Sequence, residues 1–280
     1  MMSEELTQNC NESRRRFLRH AALAGVGLAA APLLMPTAAQ AGLFSAPSPA
    51  DQKKVGAQAA QQVLKQYPQV FDGRARHFNQ LGMRLVNALP DSDRRTWDFK
   101  FHVLDSKEVN AFALPGGNMF MFTGLYQILS TDDALAAVTG HEMTHVRKQH
   151  WAKANAQQQE RDTLLAIGLS IFKAGRNAQT IAGLADNMLS LKYSRGEEDQ
   201  ADAGGLENMV RAGYNPNGMI QLFQALEKVS GNGGGLGGAF LSDHPLTSDR
   251  IKAAEQRIAA LHQQHSFPAL TPLNYSRLRG

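Results

Sequence analysis

Cysteine is nearly absent from this sequence: Cys10 stands alone among 280 residues. It falls in an N-terminal segment expected to be removed on export, which leaves the mature chain no disulfide, thiol nucleophile or cysteine metal ligand. Apolar runs of membrane-spanning length are missing too. Ala21–Met35 holds fifteen residues and "TLLAIGLSIF" (163–172) holds ten, against the ~20 that a spanning helix needs; the second reads as a buried helix. Charge of one sign is scarce. The chain sets 29 Lys and Arg against 25 Asp and Glu, and without its first 41 residues it carries a net charge of +3. No basic stripe with interleaved aromatics occurs, so nucleic acid is not an expected partner. The glycine-dense stretch 230–245, "SGNGGGLGGAFLSDHP", lacks the G-K-[ST] of a phosphate loop and reads as a mobile connection. There is no internal repeat.

At the N-terminus, "SRRRFLR" (13–19), the apolar run behind it and "TAAQA" describe a secretory signal with cleavage expected after Ala41. Its Ser-Arg-Arg-x-Phe-Leu-Arg resembles the twin-arginine export signal, which implies a periplasmic product moved in the folded state, often with its metal already inserted. A linker over 42–52 and a single domain over 53–280 are expected to follow, the domain being large enough for one substantial core.

Helices are expected at 53–67, where Val55, Ala59 and Val63 recur at intervals of four, and at 74–89, burying Phe78, Leu81, Leu85 and Leu89. Trp97, Phe99, Phe101 and Val103 alternate as one face of a strand. Two more strands, "VNAFAL" and "NMFMFTG", flank the breaker "PGG" (115–117). Ser130 or Thr131 can cap a helix whose first turn holds Asp132 and Asp133. Further helices are expected at about 177–212, 215–229 and 247–264. The pattern predicts an α+β fold, mostly helical, with a small sheet beside the helix that carries the chemistry.

That chemistry lies in "TGHEMTHV" (139–146). His141 and His145, at i and i+4, share one helix face and can reach a single point. H-E-x-x-H on a helix reads as two zinc ligands, with Glu142 as the general base of a metalloprotease. A catalytic zinc needs a third protein ligand, and the candidates in "YSRGEEDQAD" (193–202) are Glu197, Glu198, Asp199 and Asp202. Glu198 and Asp202 are i and i+4, so one can bind metal while the other braces a ligand. Glu197 points about 100° away and should face solvent. His150, five residues beyond His145, would stand about 140° around a continuous helix and is not read as a ligand. His77, His102, His262 and His265 fit no ligand spacing.

"NAFALPGG", "TGHEMTHV", "SRGEEDQAD" and "SDHPLTSDRI" occur in the order found in the gluzincin metalloendopeptidases. The chain resembles the branch that includes HtpX, the CAAX prenyl endopeptidases and the periplasmic proteases BepA and LoiP, and its layout is most similar to the soluble LoiP-like members. The resemblance implies a zincin-type fold and one Zn2+ per chain held by His141, His145 and Glu198, with Glu142 as catalytic base. It implies that Asp202 and Arg250 support the ligands, and that His244 of "SDHP" is a regulatory histidine. It also implies action on unfolded or misassembled envelope proteins, with partners in outer-membrane assembly. The transmembrane helices of HtpX are not expected here, nor is a tetratricopeptide tail after residue 280.

For His244, three roles remain open: a gating fourth ligand, a donor to the oxyanion, or a cap on the following helix. The gate is the expectation carried forward. The strand Asn118, Met119, Phe120, Met121 and Phe122, just before the active-site helix, is the expected sheet edge to which a substrate peptide adds. Two competing readings are a chaperone or binding module with structural zinc and a metalloenzyme acting on small molecules or peptidoglycan. A base beside the first ligand argues against the former.

Overall fold

Proline and serine open the described chain as a helix start. In a computed structural model, which describes residues 46–161, 191–231 and 238–279, Ser48 caps α1 (Pro49–Gln66) by accepting from the Asp51 N–H, with proline at the first helical position. The expected linker therefore ends before Pro49, since Ser48 and Pro49 form a start signal. Next come β1 (Gln69–Val70), α2 (Gly73–Asn87) and α3 (Asp91–Thr96). The last was not expected: Pro90 precedes it and acidic residues fill its first turn. Because α3 runs to Thr96, strand β2 begins only at Lys100 (Lys100–Leu104), and Trp97 and Phe99 lie ahead of it.

Strands β3 (Ala111–Leu114) and β4 (Asn118–Phe122) form a hairpin around Gly116 and Gly117, both at positive φ. The sheet order is β1-β2-β4-β3; β4 runs parallel to β2 and antiparallel to β3. Asn118–Phe122 is therefore not an edge. Both of its sides are hydrogen-bonded and all five residues are buried. Its side chains alternate between two cores. Met119 and Met121 join Phe78, Leu81, Phe101 and Val103, while Phe120 and Phe122 pack with Val55, Ala59 and Val63 of α1. Among the described residues, β3 is the unpaired edge on this side. The Phe122 N–H donates to the Asn110 carbonyl, so by antiparallel alternation the peptide groups of Ala111 and Ala113 face outward.

After α4 (Thr123–Ile128), Thr131 caps α5 (Asp132–Arg147) by accepting from the Ala134 N–H. A second helix, α6 (His150–Arg161), starts three residues after α5 ends. The expected buried helix at 163–172 lies outside the described residues, as does part of the glycine-rich connection, 232–237. Of the helix expected over 177–212, residues 191–194 are not helical and α7 spans Arg195–Arg211. Its start is set by a capping box, in which Ser194 accepts from the Glu197 N–H and the Glu197 carboxylate accepts from the Ser194 N–H. Next are α8 (Gly218–Gly231), α9 (Gly238–Asp243), α10 (Ser248–Gln264) and α11 (Tyr275–Leu278). No described helix is long and apolar enough to cross a membrane.

Helices α5 and α7 touch backbone to backbone. A Cβ on Gly205 would lie 2.9 Å from the His141 nitrogen, and one on Gly140 would lie 3.1 Å from the Gly205 carbonyl oxygen. Side chains at these positions would hold the helices apart; glycine brings Glu198 to the histidines.

Candidate metal centre

On α5, His141 and His145 point their Nε2 atoms toward one another at 3.1 Å. Glu198, in the first turns of α7, sets Oε1 3.5 Å from His145 Nε2 and Oε2 3.6 Å from His141 Nε2. His244, just after α9, brings Nδ1 to 3.3 Å from His141 Nε2 and 2.8 Å from Glu198 Oε1. All four side chains are buried, and each offers a donor atom within 4.8 Å of the others. Bonds of 2.0–2.1 Å to a tetrahedral ion place ligand atoms about 3.3 Å apart. These residues fit such an ion, with His244 in the fourth position. The shortest distance is that of a direct hydrogen bond from His244 to Glu198.

Glu142 is buried beside this cluster. Its Oε1 has no hydrogen-bond donor among the described residues and faces His244 Nε2 at 3.5 Å. Burial pushes the carboxyl above its ordinary range, against the pull of His244 and His141, and the Ala113 amide of β3 favours its ionised form. Burial holds the His145 imidazole well below its usual range, helped by His141. His244 is raised: burial works against it, but Glu142 and Glu198 outweigh that.

The second layer is as dense. His141 Nδ1 donates to Asp202 Oδ1 at 2.9 Å, which fixes the tautomer that presents Nε2. Arg250 of α10 donates to both Asp202 oxygens at 2.7 and 2.8 Å, and its Nη1 lies 2.8 Å from Glu198 Oε2. Burial alone would raise Asp202, yet Arg250 and His141 hold it down at about 2. Arg250 also donates to the Pro245 carbonyl, tying α10 to the loop that carries His244. The cap of α10 is Thr247, which accepts from the Arg250 N–H, so capping is not the role of His244.

The structure brings His141, Glu142, His145, Glu198, Asp202, His244 and Arg250 together. Asn118–Phe122 is not among them, and β3 stands outside it in the sheet. Glu197 turns back onto the Ser194 cap rather than toward the ligands. Two neighbours went unforeseen. Tyr193 lays its ring on His145 at a 4.0 Å centroid distance, and its place just ahead of the Ser194 cap was the available signal. His150 is fully buried, with Nδ1 2.9 Å from His145 Nδ1; it is not a ligand, but neither is it 140° away.

Residues 74–258 match the sequence profile of peptidase family M48. The chain is 30% identical over 219 residues to the beta-barrel assembly-enhancing protease of Yersinia pestis, covering 74% of this chain and 43% of that protein. Its counterpart of the same name in Escherichia coli K12 is 30% identical over 191 residues, 65% of this chain and 38% of the relative. The mitochondrial metalloendopeptidase OMA1 of Saccharomyces cerevisiae is 32% identical over 181 residues, 61% and 52% of the two chains. The matched stretches thus span about half or less of these relatives. The matched profile runs from α2 to α10 and takes in every residue of the buried cluster: the chain belongs to peptidase family M48.

Proposed function

We propose that the protein is a periplasmic zinc metalloendopeptidase that cleaves unfolded or misassembled envelope proteins. The buried His141–His145–Glu198 set, beside a Glu142 whose Oε1 is unpartnered, carries this reading. Among the first-row divalent ions, a nitrogen-rich, four-donor site with tetrahedral spacing suits zinc. Zinc held there supplies Lewis-acid polarisation of the scissile carbonyl and lowers the pKa of an attacking water. His141, His145 and Glu198 hold the ion, and Asp202 and Arg250 keep His141 and Glu198 oriented. Glu142 takes the proton of the attacking water and returns it to the departing amine.

Substrate enters as main chain. The Ala113 amide on the outward side of β3 reaches Glu142, so an extended peptide added beside the outward Ala111 peptide group sets its carbonyl near the base. Affinity drawn from backbone hydrogen bonds suits chains exposed by misfolding. The relatives named as beta-barrel assembly-enhancing proteases support a role tied to beta-barrel assembly. Residues 1–41 act as a twin-arginine export signal, and the enzyme domain follows. His244 is a gate: seated in the fourth position, it keeps water out until its loop moves.

The deciding experiment is Glu142→Gln in the purified mature protein. Metal content and thermal midpoint are expected to stay at wild-type values while casein cleavage falls to background, because the base is lost and the ligand set is intact. Substantial residual cleavage would sink the reading.

A further inference from the structure

We propose that His150 is a positioning residue for the metal centre, holding the His145 ring so that Nε2 faces the ion. This rests on the reading of His145 as a ligand. On an unbroken helix His150 would stand on a different face from His145. The helix breaks instead. Lys148 closes α5 with its N–H on the Thr144 carbonyl, and Gln149 takes φ +56, the one non-glycine residue at positive φ among those described. An outlier of this kind persists only where its surroundings enforce it. The enforcing contact is visible: the Gln149 side-chain oxygen accepts from Nε2 of Gln52, a buried residue of α1, at 2.8 Å.

The left-handed residue swings His150 back against His145. Their Nδ1 atoms stand 2.9 Å apart with the rings nearly perpendicular, at 78°. One nitrogen must donate and the other accept. His145 uses Nε2 toward His141 and Glu198, so its proton sits on Nδ1 and His150 Nδ1 is the acceptor. His150 then carries its own proton on Nε2, 3.4 Å from the Gln200 side-chain oxygen. Each ring in the relay is left with one tautomer. His141 is held by a carboxylate and His145 by a neutral imidazole, so the two ligand histidines have unlike supports.

The test measures Zn2+ affinity of the purified protein by competition with a fluorescent chelator. His150→Leu keeps the bulk but removes the acceptor, and is expected to weaken Zn2+ binding about 10- to 100-fold, the usual cost of losing the partner behind a metal-bound histidine. His150→Asn places an amide oxygen where Nδ1 stood and is expected to recover affinity to within about threefold of wild type. Gln200→Leu, at the exposed end of the relay, is expected to weaken binding by about three- to tenfold, the worth of one ordinary hydrogen bond. Wild-type affinity in His150→Leu overturns the proposal, and so does an asparagine variant as weak as the leucine one. Should His150→Leu not fold, Gln200→Leu decides, and unchanged affinity there overturns it. A wild-type protein that binds no Zn2+ overturns the ligand reading itself and the proposal with it.

Discussion

His244 stands between two carboxylates, 2.8 Å from Glu198 and 3.5 Å from Glu142, and so touches both the metal set and the base. Its substitution separates two roles by sign. As a gate, His244→Ala opens the fourth position: basal casein cleavage by the metal-loaded protein is expected to rise while metal stays bound by the other three ligands. As an oxyanion donor, the same change would cut kcat by about a hundredfold. A fully loaded variant slower than wild type rules out the gate. The residues at this scale differed in how openly the sequence displayed them. His141, Glu142 and His145 lie within little more than one helical turn, where spacing alone fixes the shared face. Glu198 stands well downstream; helical spacing favoured it and Asp202 over Glu197, and the order of motifs then chose between the two. The place of His150 could not be read, because Gln149 adopts its left-handed turn without the glycine that signals one.

Among the helices, the α5–α7 contact sets the distance between the histidines and Glu198. Gly205→Ala would put a methyl 2.9 Å from the His141 backbone nitrogen, and backbone cannot yield as a flexible side chain can. The expected outcome is a variant that folds with a lower thermal midpoint and weaker metal binding, since overpacking costs typically about 1–3 kcal/mol. Measured Zn2+ affinity equal to wild type would show that the helices tolerate separation. Gly196, near the start of the same helix, imposes no such constraint, since a Cβ there would meet nothing within 4 Å. The strands show why topology was harder to read than element type. Both hairpin strands were legible from their apolar runs around "PGG", but strand order is set by pairing between distant segments. The continuous run Asn118–Phe122 did carry a clue, since strands buried on both faces read as unbroken apolar sequence rather than alternation. In the sheet this is an inner strand, and Ala111–Leu114, equally apolar, is the outer one, so composition did not tell the two apart.

Across the whole molecule, the ion and the fold are linked. An ion that binds the native chain alone stabilises it by about 2.7 kcal/mol at a hundred times its Kd. Chelation by EDTA is therefore expected to lower the thermal midpoint of the wild-type protein by several degrees, and saturating Zn2+ to restore it. In His145→Ala the two midpoints should coincide, and a shift as large as in wild type would mean the ion binds elsewhere. The cluster joins groups up to 103 positions apart in sequence. Such contacts close large loops and form after local structure, because closure entropy must be met first. During synthesis the histidine pair emerges well before Glu198 and His244, so a growing chain holds no complete site. The four groups of the candidate centre therefore come together only in the folded chain.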